Sequence, residues 1–140
     1  PQNMADKFMK FIETMDMSFS YKPVLLKAIY EYMDSNGRVA LPDVVDYFID
    51  FYEDRKAHGM IAEKPNSIYQ KGGYIRKDVE KNVLSNPFKR FEDMRFLMRC
   101  KDVETIEVNP IIFRKLTKED WLHIIRVCDK SLEKYYTRIS

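Results

Sequence analysis

Cysteine, histidine and glycine are scarce in this chain. Among 140 residues there are two Cys, two His and four Gly. Two cysteines are too few for a disulfide framework, and Cys100 and Cys128 are not spaced like metal ligands. We expect both to be reduced, partly buried thiols. No Gly-rich loop ends in Gly-Lys-Ser/Thr, and no acidic helicase box is present, so the machinery of an ATPase is not predicted within this chain.

Long apolar runs are also missing. No run approaches the roughly 20 residues of a membrane helix. The N-terminal "PQNMADKFMK" lacks the uninterrupted apolar stretch of a signal peptide. We therefore expect a cytoplasmic chain without membrane contact. With 45% hydrophobic and 14% aromatic residues there is enough apolar material for one core, and 1–140 is predicted to be a single domain.

Charge is unevenly distributed along the chain. Residues 1–54 carry 5 Lys and Arg against 10 Asp and Glu, whereas residues 55–101 carry 12 against 5. Residues 102–140 are balanced, with 7 of each. A basic middle third is able to attract phosphate, although many charge runs are only a solvated face. Two interpretations of residues 55–101 therefore stay open, a phosphate-binding surface and a solvated face.

Apolar residues at helical spacing predict helices through most of the first 95 residues. A helical extension occupies 1–19, with its helix from Ala5 to Met15. The next helix begins near Ser20, a suitable cap, and ends at "DSNG". After the short strand "RVAL" come a helix over Asp43–His58, a loop over 60–76 and a helix over Lys77–Leu84. Pro87 predicts a break and a new short helix to about Arg95, with Phe88, Phe91 and Met94 inward.

The remaining sequence predicts a hairpin and one long helix. "FLMRC" and "TIEVN" are typical of two strands, joined by "KDVE". The segment 117–140 begins with Thr117 and Asp120 in a capping-box arrangement. Its apolar stripe includes Trp121, and this C-terminal helix is predicted to pack against the core.

The order of these elements predicts the fold class. From Ser20 onward it is helix, short strand, helix, helix and two-stranded hairpin, which is the order of a winged helix-turn-helix. We therefore expect a mostly α protein with a small β-sheet, in which extra N- and C-terminal helices surround a winged helix-turn-helix-like core. The presenting helix would be "NPFKRFEDM" and the wing "RCKDVET".

Basic and aromatic side chains of the middle third are the candidate nucleic-acid-binding residues, because phosphate contacts need cations and bases stack on aromatic rings. Glu92 and Asp93 lie on the same helix and would repel phosphate. Tyr69 and Tyr74 flank a Gly-Gly pair, where each would either stack on a base or pack back on the domain. The predicted contact residues are Lys89, Arg90, Arg95, Arg99, Lys101, Tyr74 and Arg76.

Three stretches give the chain a family resemblance: "SYKPVLLKAIYEYMDSNGRVALPDVVDYFIDFYEDRKAHGMIAEKPNS", "KNVLSNPFKRFEDM" and "LTKEDWLHIIRVCDKSLEKYY". Together they resemble a C-terminal accessory module of bacterial superfamily II (DEAD/DEAH-type) helicases from restriction and phage-defence systems. The resemblance spans most of the chain from Ser20 and includes no motif of known chemistry. It implies an accessory domain of a larger protein that contacts nucleic acid or the motor and hydrolyses nothing itself.

No catalytic or metal site is predicted. Asp50 and Asp54 share a helix face and would be able to hold Mg²⁺, but a solvated acidic face is the simpler interpretation. We therefore expect a non-catalytic nucleic-acid-binding accessory domain, with DNA as its ligand and no cofactor. The alternative is a protein-interaction domain without nucleic-acid contact, whose partner is a helicase or another protein, or a second copy in a homodimer.

Overall fold

A computed structural model describes residues 3–140. Pro1 and Gln2, the start of the predicted extension, lie outside the described residues. The helices are α1 (Met4–Glu13), α2 (Tyr21–Tyr32), α3 (Leu41–Ala57), α4 (Ile68–Lys71), α5 (Arg76–Val83), α6 (Lys89–Asp93), α7 (Pro110–Lys115) and α8 (Lys118–Ile139). The strands are β1 (Arg38–Ala40), β2 (Leu97–Cys100) and β3 (Thr105–Val108). The fold is thus mostly helical with a small sheet, as the sequence predicts.

Local polar contacts determine where several helices begin. Asn3 accepts a hydrogen bond from the backbone N–H of Asp6 at the start of α1, over 2.8 Å. At the start of α8, Thr117 and Asp120 form the predicted reciprocal capping box, with bonds of 2.8 and 3.1 Å. Ser20 is the N-cap residue of α2, as predicted, but its side chain makes no capping hydrogen bond. Its hydroxyl is instead buried against two side chains from distant parts of the chain.

The three strands form an antiparallel sheet in the order β1-β3-β2. Val39 lies opposite Ile106, and Leu97 lies opposite Val108. All four of these side chains are buried on one face of the sheet, against the helices. The predicted hairpin and its pairing with "RVAL" are confirmed. A single turn of 3-10 helix, Lys101–Val103, joins β2 to β3 and ends at Glu104 in a left-handed conformation.

The predicted helix break at Pro87 is wrong. Helices α5 and α6 are joined by a π-helical turn, Leu84–Phe88, and the helical path continues through the proline. In an α-helix the proline ring collides with the carbonyl four residues earlier and removes a hydrogen bond. The wider π-turn makes room for the ring without ending the helix. Arg76 to Asp93 is therefore one irregular helix, about 27 Å long at 1.5 Å per residue.

Helix α6 ends in a turn that corrects a second prediction. Phe88 and Phe91 point inward as expected, but Met94 is 40% exposed. The Phe96 N–H donates to the Phe91 carbonyl over 3.0 Å, and Arg95 has a φ of +63°. This left-handed residue reverses the chain direction, as glycine commonly does at a helix end. Met94 therefore lies on the outside of the turn, and Phe96 takes the next buried position.

Helix α8 covers one side of the molecule, where it packs on α2, and α2 in turn packs on α3. Trp121 is 4% exposed in this core. Helix α7 was not predicted, although Asn109 caps it and Pro110 is its first residue. It lies against α1, and the Phe113 ring covers Gly37. An added Cβ at Gly37 would lie 2.7 Å from Phe113 Cδ1, so this position requires glycine.

The predicted loop over 60–76 is irregular but well packed. It contains the short helix α4, whose Tyr69 is fully buried. The Tyr69 ring stacks on Tyr52 with centroids 4.1 Å apart, and its hydroxyl donates to Asn82 over 2.8 Å. Tyr69 therefore packs back on the domain, which was one of its two predicted alternatives.

Candidate nucleic-acid interface

The irregular helix from Arg76 to Asp93 has a buried apolar side and an exposed charged side. Val79, Val83, Phe88 and Phe91 are buried. The exposed cations along the same helix are Arg76, Lys77, Lys81, Lys89 and Arg90. The apolar side fixes the orientation of the helix, because burying it is the main source of stabilisation for so short an element. The charged side therefore faces solvent, and it also carries four carboxylates, those of Asp78, Glu80, Glu92 and Asp93.

Lys89, the first of the predicted contacts, is in a local ion pair. Its ammonium lies 2.6 Å from Asp93 Oδ1 and 4.0 Å from Glu92 Oε1, and all three side chains are about half exposed. The hydrogen bond to Asp93 raises the pKa of Lys89, and the charges of Asp93 and Glu92 act in the same direction. Exposed pairs of this kind are weak, so a phosphate is able to compete for the ammonium.

Arg90 and Arg95 are exposed and form no ion pair with any residue of 3–140. The Arg90 guanidinium lies over the Phe11 ring, 5.8 Å from its centroid. Arg95 occupies its left-handed conformation at a cost that glycine would not have. Both guanidinium groups are free to contact an anion, as a phosphate-binding role requires.

The hairpin provides the next two predicted residues. Arg99 lies opposite the buried Ile106, so its side chain leans across the core face at the end of the sheet. Its guanidinium is 3.4 Å from Glu104, and its Nε is buried without a hydrogen-bond partner among the described residues. Lys101 lies in the turn, exposed and in no ion pair within residues 3–140. Lys101 is thus the more accessible cation of the two.

Tyr74 and Arg76, at the other end of the helix, each contact a carboxylate of α3 at the protein surface. The Tyr74 hydroxyl donates to Glu53 over 2.6 Å. Burial, together with this hydrogen bond and the Glu53 charge, raises the pKa of Tyr74. Arg76 lies 2.6 Å from Asp46 and also donates to the Pro42 carbonyl over 2.9 Å. Both side chains brace α3 against the segment around α5, and Arg76 is roughly 20 Å along the helix from Arg90.

A groove of about 410 Å³ runs beside α6 and the π-turn. Lys89 and Arg90 line one part of it, and Lys22 of α2 lines another. The Lys22 ammonium donates to the backbone carbonyl of Asp16 over 2.6 Å. Burial lowers the pKa of Lys22, the Asp16 charge raises it, and the Arg90 charge lowers it.

Sequence reasoning missed Lys22, Lys77 and Lys81 as members of this basic region. The two α5 lysines fall in the basic middle third, which was a usable signal. Lys22 lies in the acidic first third, and only the packing of α2 beside the π-turn brings it to the groove. No local pattern indicates that contact.

The two histidines contact other groups of the protein. His58 contacts the Asp54 carbonyl through Nδ1 over 2.8 Å, and His123 lies 3.3 Å from Glu13. Within residues 3–140, no three His, Cys, Asp or Glu side chains are grouped so that they could hold a metal ion. Cys100 and Cys128 are free thiols, and burial raises the pKa of Cys128 to about 12.

Comparison with known proteins gives no match to a protein family, to a curated protein or to a solved structure. None of the helices in residues 3–140 combines the length and the apolar composition that crossing a membrane requires.

Proposed function

We propose that this chain is a non-catalytic, nucleic-acid-binding accessory domain of the winged helix-turn-helix type, and that it binds DNA. The strand order β1-β3-β2, with α3 and the α5–α6 helix between β1 and β2, supports this topology. In a winged helix the last helix before the hairpin is the one presented to DNA, and the hairpin is the wing. A major groove admits a helix of this size.

The observation that carries the proposal is the number of unengaged cations on the continuous α5–α6 helix, Arg76 to Asp93, and on the turn that follows it. Lys77, Lys81, Arg90 and Arg95 are exposed and have no carboxylate partner among the described residues. Lys89, by contrast, is paired with Asp93. Free guanidinium and ammonium groups along one helix suit a polyanion whose phosphates repeat along a line.

The proposed place of the domain is within a larger helicase or restriction-type protein, beside its motor. The family resemblance of the sequence supports that context. The domain itself would bind DNA, while another part of the assembly would hydrolyse ATP. We expect no turnover of ATP, DNA or RNA with Mg²⁺ above a buffer control, and cleavage abolished by Asp50→Ala would contradict this.

A DNA titration followed by fluorescence anisotropy at several salt concentrations tests the proposal. Changing Lys89 and Arg90 together to Glu should weaken binding to every sequence. Each lost phosphate contact lowers the salt slope of log K by about 0.9, so the slope should become shallower by about 2 units. Duplex and single-stranded probes of one sequence would show which form is bound more tightly.

A matched control replaces Arg126 and Lys130 by Glu, because both are exposed on α8 and equal in charge to the tested pair. This control should bind DNA with almost the parent salt slope. If the parent does not bind DNA, or if the Lys89 and Arg90 variant binds as well as the parent, the nucleic-acid proposal is wrong.

One observation favours a second candidate, a protein-interaction surface. Val103 at the hairpin turn is 67% exposed, and Met98 and Tyr32 are 37% and 45% exposed. Val103 and Tyr32 also line a hollow of about 590 Å³ beside β1 and β3. Under this alternative the hairpin contacts a partner protein or a second copy of the chain. Sedimentation of the parent and of Val103→Asp would detect self-association, which the aspartate should abolish.

A further inference from the structure

The groove beside the π-turn brings together cations that are distant in sequence. Lys22 comes from the first turn of α2, whereas Arg90 comes from α6. Neither forms an ion pair with a described residue, and their charges act on each other. Two unpaired cations at one groove repel each other, so an anion bound between them would gain from both.

The groove also contains uncharged polar side chains that make no hydrogen bond to the described residues. The Ser85 hydroxyl and the Asn86 side-chain amide both line it. Neither side chain makes a hydrogen bond to any residue of 3–140. Both residues belong to the π-turn, and turns of this kind are frequent at functional sites. The groove therefore combines two cations with two free polar side chains.

The aromatic side of the groove is already occupied. Phe19 stacks on Tyr21 with centroids 4.8 Å apart and an interplanar angle of 1°. The Lys64 ammonium lies over the same Phe19 ring, 5.3 Å from its centroid. Little of the ring is left for stacking on a nucleic-acid base. The chemistry of the groove is therefore suited to the sugar-phosphate backbone and not to base recognition.

The carboxylates of the groove limit which anion fits. Asp93 is neutralised by Lys89, 2.6 Å away, while Asp16 makes no ion pair within residues 3–140. The net balance is weakly positive, which suits a singly charged phosphodiester better than a dianionic monophosphate. A groove of about 410 Å³ has room for such a group with its adjoining sugars.

We propose that the groove formed by Lys22, Ser85, Asn86 and Arg90 binds one backbone phosphodiester of the nucleic acid held by the presented helix. The inference rests on the proposed function and adds a contact from α2. The Lys22 ammonium and the Arg90 guanidinium neutralise the phosphate, while Ser85 and Asn86 donate to its oxygens. Because only backbone is contacted, the groove contributes affinity without sequence preference.

The test is a titration of a labelled DNA duplex at several salt concentrations with the parent, Lys22→Gln and Lys22→Arg. We expect Lys22→Gln to bind several-fold more weakly, with a salt slope shallower by about 0.9, the value for one phosphate. Lys22→Arg should bind within about twofold of the parent, since the charge is kept. Lys130→Gln removes the same charge from an exposed position of α8 and should leave the slope unchanged.

The outcomes separate this inference from the proposed function. If the parent binds DNA and Lys22→Gln has the parent affinity and slope, the groove contact is wrong and the proposed function remains. If the parent does not bind DNA, both are wrong. A urea unfolding curve and a circular dichroism spectrum of Lys22→Gln check its fold. A weakened variant that Lys22→Arg fails to restore would show a structural role for Lys22 and would overturn the inference.

Inorganic phosphate at matched ionic strength is the second probe. A site for backbone phosphodiesters should bind the free anion poorly, so the DNA affinity of the parent should not change. Displacement of DNA from the parent but not from Lys22→Gln would mean that the groove takes a free anion, which would contradict the inference.

Discussion

The backbone N–H of Ser20 donates to Glu63 Oε2 over 2.7 Å, and both residues are buried. The Ser20 hydroxyl donates to the same oxygen over 2.5 Å. The other oxygen, Oε1, accepts from the Lys64 N–H over 2.7 Å and from the Tyr135 hydroxyl. One carboxylate thus joins the start of α2, the loop after α3 and the end of α8. Such a cluster is stable only while every donor keeps its acceptor.

Glu63→Gln is expected to destabilise the fold by about 1–3 kcal/mol. The amide nitrogen that replaces one carboxylate oxygen is a donor, and it would face two groups that also donate. The free energy of unfolding in urea measures the effect. Glu133→Gln is the control, because Glu133 is exposed on α8, and it should change stability by less than about 0.5 kcal/mol. Equal stability of both variants would mean that the buried donors find water or other partners.

Gly37→Ala should cost more than Gly73→Ala, although both glycines have positive φ, +78° and +73°. The left-handed conformation should destabilise each alanine variant by about 1–2 kcal/mol. At Gly73 an added Cβ has nothing within 4 Å, whereas at Gly37 it lies 2.7 Å from the Phe113 ring. Overlap of this kind typically costs a further 1–3 kcal/mol, on the order of other overpacked sites. Urea unfolding of the pair isolates the clash, and equal losses would mean that Phe113 moves aside freely.

The hairpin and α8 were predictable because their patterns are local. The apolar residues Ile106 and Val108 alternate with polar residues in "TIEV", and α8 has a capping box and an apolar stripe. The helix that continues through Pro87 was not predictable. Whether the protein tolerates a π-turn there depends on how Phe88 and Phe91 pack around it. Proline statistics describe regular helices only.

The candidate interface was predictable in its sign of charge but not in its detail. Arg76 and Asp46 are thirty residues apart, and only the packing of α5 on α3 pairs them. Tyr74 likewise meets Glu53 through the fold. The sequence of neither segment contains a pattern that indicates an ion pair with a distant segment. Sequence therefore indicated which side chains are basic, and the structure distinguishes engaged cations from free ones.

Stability should fall at alkaline pH because buried hydroxyls resist ionisation. Burial raises the pKa of Tyr21 and of Tyr136 from 10.0 to about 12. A raised pKa in the folded state contributes stability that is complete below the unfolded value and is lost as pH rises toward the folded value. The free energy of unfolding should therefore decline from about pH 10 toward about pH 12. Cys128 adds to the decline from about pH 9, since burial raises its pKa to about 12.

Urea unfolding at a series of pH values measures this decline, and the ultraviolet absorbance of tyrosinate follows ionisation in parallel. Tyr136→Phe should be less stable than the parent at neutral pH, because it loses the 2.6 Å hydrogen bond to the Ala62 carbonyl. Above about pH 10 its stability should fall less steeply, since one titrating group is gone. A stability that stays flat while the tyrosines ionise would show that these hydroxyls are accessible to solvent.

Trp121→Ala should cost about 3–5 kcal/mol, the range for large aromatic side chains in cores. Trp121 is 4% exposed, and its indole meets Phe8 edge-on at 6.5 Å and stacks on Tyr30 at 6.2 Å. The change leaves a cavity where α8 meets α1 and α2, and none of the three helices is able to close it alone. Leu122→Ala is the matched control, because the neighbouring Leu122 is 39% exposed and should lose less than about 1 kcal/mol. Urea unfolding of both variants gives the comparison. If Trp121→Ala also lost less than about 1 kcal/mol, the indole would not be part of the core, and the orientation of α8 described above would be wrong.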